Sequence, residues 1–220
     1  MKIAIVGAGG HGHVVADIIR ASAAADGELS IAGFVDDRTE LIGTRVAGAP
    51  VLGRLVDVAR IAADAFVIAI GDNAARAQIA ADLRASSRAL ATVRHPHASI
   101  AADAAIGEGT MISAGAIVVT AAHIGRGAIL NTGCTIDHHC RIGDFVHVAP
   151  GVHIGGEVSI GNLTLVGIGA TVAPRCRIGA GCTIGAGAVV IRDVPDGTTV
   201  VGVPARPVAA GRTVAGAGVL

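Results

Sequence analysis

The sequence predicts a mixed architecture: a small N-terminal α/β domain of Rossmann-like order, then a parallel β-helix of six-residue repeats. Two observations carry this reading. One is an unbroken period of six through the second half of the chain. The other is a strand, glycine turn and helix at the N-terminus. The composition then says what must fill the core.

From Ile100, Ile106 and Ile112 to Ile178, Ile184 and Val190, sixteen consecutive sixth positions are aliphatic, without a slip. The residue two earlier is small or β-branched each time, as at Ala98, Thr110, Cys134, Val152 and Ala188. The residue just after is often glycine, as at Gly107, Gly125, Gly143, Gly155 and Gly179. A helix needs a period of 3.6 and a flat strand a period of 2. A period of six is a short strand, a turn and another short strand. The aliphatic points inward and the small residue beside it lets the chain bend. The following glycine is expected to free the backbone at the corner. Three sides close a triangular coil, and coils stack at about the inter-strand spacing of ~4.8 Å. Such a solenoid buries each row only against its neighbours.

Cys134, Cys140, Cys176 and Cys182 all fall on the small inward row. They read as buried fillers. No CxxC spacing suggests zinc or redox chemistry.

The first hundred residues read differently. Lys2–Val6 is a short apolar strand running into Gly7-Ala8-Gly9-Gly10-His11-Gly12, and residues 14–20 have helical spacing. A second strand, Ile31–Val35, ends at Asp36-Asp37, and a third, Phe66–Ile70, ends at Gly71-Asp72-Asn73 before a helix over 74–83. This alternation predicts a parallel sheet with its ligand at the C-terminal strand ends. The expected division is residues 1–95, 96–206 with a C-terminal capping loop, and a loose tail over 207–220.

The composition narrows the function classes. Lys plus Arg is 17 and Asp plus Glu is 17, a balance that argues against a nucleic-acid partner. With three Phe and neither Trp nor Tyr, the core must be built from Ile, Val, Leu and Ala. No apolar run approaches the ~20 residues of a membrane span. The N-terminus is too short for a signal-peptide core, so a soluble, cytoplasmic protein is expected.

Gly7, Gly9 and Gly12 match GxGxxG, with an acid further on at Asp36. Such a turn lets a phosphate approach backbone N–H groups at a helix N-terminus. A nucleotide diphosphate, a nicotinamide dinucleotide and a ligand-free tight turn are all compatible with it. The sheet ends near residue 95, which leaves no second mononucleotide half.

A glycine-turn domain ahead of a six-residue-repeat helix resembles the hexapeptide-repeat acyltransferases. Within them it is similar to the sialic-acid O-acetyltransferase-like group, including N-acetyltransferases of UDP-linked 4-amino sugars and GDP-perosamine. The residues that carry the resemblance are Gly7–Gly12, Phe34–Asp37, Ala69–Asn73, Asn131–Cys140 and Val201–Arg206. The resemblance implies a left-handed helix, a homotrimer with active sites between subunits, and acetyl-CoA as co-substrate without a metal. It further implies that Gly9, Gly10 and His11, Asp36 and Asp37, and Gly71 and Asn73 bind the nucleotide sugar. His147, Gly156 and Ile168 would contact acetyl-CoA, and His138 would be the general base. A sialic-acid-type O-acetyltransferase, a zinc enzyme on the same helix and a non-catalytic scaffold protein are the rival readings.

Transfer of acetyl to a sugar amine needs removal of an ammonium proton and a donor for the oxyanion. Five histidines fall inside the repeat, His123, His138, His139, His147 and His153, all off the inward rows. A solvated surface role is the default for each, and only His138 matches the family's catalytic segment. Similar enzymes often carry an acid directly after this histidine, where this chain has His139. Asp137 precedes it, but neighbours on a strand face opposite ways. Arg206 suits either a CoA phosphate or open solvent.

Overall fold

The computed structural model describes residues 1–208, with the side chain of residue 26 left aside. Of the expected tail over 207–220, residues 209–220 lie outside the described residues.

The N-terminal sheet contains β1 (Lys2–Val6), β2 (Ser30–Val35), β3 (Arg45–Val46), β4 (Ala49–Gly53) and β5 (Ala65–Ile68). Its order is β3-β4-β2-β1-β5. β1 is parallel to both β2 and β5, β4 is parallel to β2, and β3 closes an antiparallel hairpin with β4. Helix α1 (Gly10–Asp26) is longer than the spacing of its apolar residues suggests. The glycines at its start belong to its first turn, and it stops only at Gly27, which is left-handed at φ 74° and donates its N–H to Ala23 O. Helix α2 (Asn73–Ala85) follows β5, with Asp72 Oδ1 accepting from Ala75 N as its N-cap.

The β-helix starts earlier than residue 96. Val93–Arg94 already pairs with Met111–Ile112. From there the strands stack in strict 18-residue register on three faces. The first face runs from Ser99–Ile100 through Thr135–Ile136 to Val189–Val190. The second includes His123–Ile124, Arg141–Ile142 and Arg177–Ile178. The third includes Met111–Ile112, Ile129–Leu130, His147–Val148 and Leu165–Val166. At the far end, Arg206–Pro207 folds back antiparallel on Thr199–Val201, so the residues just past 205 are paired and not loose.

The inward rows are as the period predicts. Ile112, Ile136, Val148, Val166 and Ile184 are each at most 1% exposed; Ile100 and Ile106, at the open end, are only partly buried. Each fully buried aliphatic contributes about 1.5–3 kcal/mol. The four cysteines are buried among them, and burial pushes the Cys134 thiol up to about 12.

The glycines after the inward aliphatics do something other than expected. They are not the left-handed corner residues. Positive φ falls two residues later, at every sixth position from Gly109 through Ala121, His139, Phe145 and Leu163 to Gly187. The glycine after the aliphatic is instead set by stacking: a Cβ on Gly107 would lie 2.4 Å from the backbone N of Arg126 in the next coil.

Candidate active site

The glycine turn is built by close approach. Gly7 has φ 101°, and a Cβ on Gly12 would lie 2.2 Å from Gly7 O. The turn therefore folds tightly against the first turn of α1. Gly9 and Gly10 are exposed, and a Cβ on either meets nothing within 4 Å. Helix α1 has no side-chain cap and no acid in its first turn. The N-terminal N–H groups thus face open space, with the positive end of the helix dipole behind them.

Asp36 holds this turn. One carboxylate oxygen accepts from Ala8 N at 2.8 Å and from Arg38 Nη2, and the other from Arg38 N and Nε. The Arg38 bond, ahead of the backbone donors, lowers its pKa to about 2. Both oxygens are engaged within the chain, so the geometry makes Asp36 a brace for the glycine turn. Asp37 accepts from Leu55 N and is exposed.

The Gly71–Asn73 loop is tied to the β-helix by a residue the sequence did not single out. Arg76 on α2 is 1% exposed. Its guanidinium donates to Gly127 O (2.8 Å) and Phe145 O (2.9 Å) on the β-helix. It also donates to Ile70 O, Gly71 O and Asn73 Oδ1 (2.7 Å) on the loop. Asn73 Nδ2 adds a bond to Leu163 O. The loop is therefore docked on the corner between the second and third faces. Burial lowers the Arg76 pKa to about 10, opposed by the Asp72 carboxylate, and leaves it charged at neutral pH.

Beside Arg76 lie two further histidines. His147 points outward from the third face, yet it is only 8% exposed because the N-terminal domain covers it. Its ring centroid is 6.1 Å from that of His11. Burial, then the Arg76 charge, lowers both pKa values to about 4, with His11 adding to the shift at His147 and the Gly71 backbone opposing it. Both rings are neutral at physiological pH. His147 Nε2 lies 3.4 Å from Asn131 Nδ2, while His11 Nε2 is buried without a partner. A buried nitrogen left unpaired at the edge of an open turn is a candidate ligand contact.

His138 is elsewhere. It is exposed at the corner between the first and second faces, and its ring lies over Gly156 one coil on. A Cβ on Gly156 would lie 2.5 Å from His138 Cε1 and 2.6 Å from Nε2. His138 N donates to Asp137 Oδ1 at 2.7 Å, and its Nδ1 lies 3.2 Å from His139 Nδ1. Ile168 is 43% exposed at the corner between the third and first faces.

Apart from Asp36 and Asp37, the expected site residues thus form three groups within one chain. Gly9, Gly10, His11, Gly71, Asn73 and His147 cluster where the two domains meet. His138 and Gly156 occupy a second place, and Ile168 a third. Adjacent corners are six residues apart, roughly 20 Å of extended backbone. Among the described residues, no group of three His, Cys, Asp or Glu is placed to hold a metal ion.

Residues 2–83 match the PglD N-terminal domain family, and residues 157–192 match the bacterial transferase hexapeptide family of six repeats. The acetyltransferase domain of PglB from Neisseria gonorrhoeae FA1090 is 38% identical, with a TM-score of 0.87 over 94% of this chain and 99% of that one. That domain has also been solved in complex with acetyl coenzyme A. PerB from Caulobacter crescentus, solved with CoA and GDP-perosamine, is 35% identical, with a TM-score of 0.88 over 94% of this chain and 97% of that one. A UDP-N-acetylbacillosamine N-acetyltransferase of Bacillus subtilis (strain 168) is 38% identical over 114 residues. That match spans about half the length of the curated relative and 50% of this chain. Together the two-domain order, the register and near-complete coverage of the PglB domain and PerB place the chain in one group: it belongs to the sugar-nucleotide N-acetyltransferases of the hexapeptide-repeat, left-handed β-helix acyltransferase superfamily.

Proposed function

We propose that the chain transfers acetyl from acetyl-CoA to the 4-amino group of a nucleotide-linked 4-amino-4,6-dideoxy sugar, GDP-perosamine or a UDP-4-amino sugar, for surface polysaccharide or glycan biosynthesis. The observation that carries this reading is the open glycine turn at the N-terminus of α1, with His11, His147 and the Gly71–Asn73 loop gathered beside it. The turn supplies N–H groups for a diphosphate. The neutral imidazoles supply polar contacts to sugar hydroxyls without repelling an ammonium.

In this reading His138 stands at the amine. Its Nε2 takes the amine proton as the nitrogen attacks the thioester carbonyl carbon. Gly156 N–H, which donates to no acceptor among the described residues, suits the resulting oxyanion. The C–S bond then breaks, and the CoA thiolate leaves without a covalent enzyme intermediate.

The nucleotide-sugar cluster and His138 sit at different corners of one coil, so a single chain cannot place both on one substrate. A homotrimer resolves this, with His138 and Gly156 of one copy facing the cluster of the next and acetyl-CoA lying between them near Ile168. The test is product analysis. Incubation with acetyl-CoA and the amino sugar should yield an alkali-stable amide, and His138→Asn should lower kcat by about 10²–10⁴-fold while acetyl-CoA still binds. An alkali-labile ester, or wild-type kcat in the variant, contradicts the proposal.

A further inference from the structure

We propose that His139 is the positioning residue for the base, accepting at its Nδ1 the hydrogen bond that holds His138 in the tautomer with a free Nε2. The inference rests on the reading of His138 as the base and concerns what supports it. The two Nδ1 atoms are 3.2 Å apart and the rings meet edge to face, with centroids at 5.3 Å and planes at 80°. Two ring nitrogens this close share one hydrogen, so one ring donates and the other accepts. A histidine that is to take a proton at Nε2 must carry its hydrogen at Nδ1. That assigns the donor to His138 and the acceptor to His139, which then carries its own hydrogen on Nε2.

The surroundings fit this assignment. The Asp137 carboxylate is turned to the backbone, where Oδ1 accepts from His138 N. It is therefore not the partner of the ring. Glu157 follows His139 in the stacked column one coil on; its N–H donates to His138 O, which ties that coil to the base's backbone. On the preceding coil, Thr120 O accepts from His139 N. Asp103, one coil further back, is held by Thr120 Oγ1 and Ala121 N, and the Thr120 hydrogen bond is the largest cause of its lowered pKa. The His139 backbone is thereby held between coils, at a left-handed corner of φ 58°, which brings its ring to His138. When His138 takes the amine proton, its Nδ1–H stays bonded to His139. The proton count closes with His138 as imidazolium and His139 neutral, until the proton passes to solvent or to the leaving thiolate.

A neutral acceptor orients the base without balancing its charge. This makes a discriminating experiment possible on the full-length enzyme. Asn places Oδ1 where His139 has Nδ1 and tolerates left-handed φ. His139→Asn should retain kcat within about threefold. His139→Leu has the same branching with no acceptor, and leucine already adopts left-handed φ at the same repeat position on another corner, Leu163. His139→Leu should lower kcat by about 10- to 100-fold, as loss of an orienting partner does, with KM for both substrates little changed. His139→Asp should keep the orientation, add charge balance and move the acidic limb of the kcat profile about one pH unit upward. If His138→Asn is inactive while His139→Leu keeps wild-type kcat at every pH, the inference fails and the reading of His138 stands. If His138→Asn keeps wild-type kcat, the reading of His138 fails first.

Discussion

Replacing Arg76 with methionine should undock the nucleotide-sugar loop. Methionine fills much of the stem volume but donates nothing. Five acceptors lose their donor together: Gly127 O, Phe145 O, Ile70 O, Gly71 O and Asn73 Oδ1. Bonds to a charged donor contribute about 1.5–3 kcal/mol each. Against their sum stands the desolvation of the guanidinium; its pKa falls from 12.5 to about 10, which corresponds to about 3 kcal/mol. Some freed carbonyls will recruit water. The net loss should be about 4 kcal/mol, the lower end of that difference once water replaces part of what the carbonyls lose. At about 2–4 °C per kcal/mol for a chain of this size, Tm should fall by roughly 10 °C. Gly71 and Asn73 hang from the same guanidinium, so KM for the nucleotide sugar should rise more than kcat falls. Scanning calorimetry and steady-state kinetics read both. A Tm within 2 °C of wild type, by the same scale, together with unchanged KM would show that Arg76 does not hold the loop.

Three other outcomes follow from the geometry. Gly10→Ala meets no atom within 4 Å in the free protein, so stability should hold within about 0.5 kcal/mol while KM for the nucleotide sugar rises; a KM unchanged in a saturation assay would place the diphosphate elsewhere. His11 and His147 fold with pKa values lowered from 6.5 to about 4, so the unfolded chain binds more protons in that window. Their contribution is complete above about pH 6.5 and is lost as pH falls toward 4, by up to about 3 kcal/mol for a ring titrating alone; denaturant unfolding at pH 7 and 4.5 should show the loss, and His147→Gln should reduce it. Finally, mixing His138→Asn chains with chains crippled at the nucleotide-sugar cluster should restore part of the activity through sites that combine two intact halves, whereas no recovery after co-expression would argue for a site within one chain.

Much of the β-helix was legible because each coil repeats the same steric problem. An aliphatic inward and a small residue beside it recur wherever the chain turns, so one period describes every coil. The role of the glycines was not legible from spacing alone. Gly107 and Gly109 lie in the same corner, and only stacking reveals that the first avoids the next coil while the second adopts left-handed φ. His147 was expected to face outward, and it does. Its burial comes from the other domain, and a trace of this was present: Met111 and Ile129 precede it in the same outward column, where solvent-facing positions would favour polar residues. Arg76 also left a trace, since it shares one face of α2 with buried Ala80 and Leu83. A charge on an apolar helix face is a buried pairing waiting for its acceptors, and here two of those, Gly127 O and Phe145 O, are far away in sequence. Asp36 shows the reverse case: the motif points to a ligand contact, while the carboxylate is consumed by Ala8 and Arg38.

The central claim is the reaction itself. The most direct measurement is thiol release from acetyl-CoA, followed continuously against a panel of UDP- and GDP-linked 4-amino-4,6-dideoxy sugars with the matching 4-hydroxy sugars as controls. Saturable turnover is expected on at least one amino sugar and none on its hydroxy counterpart. Turnover confined to the hydroxy sugars, or no turnover on any of the panel, would contradict that claim.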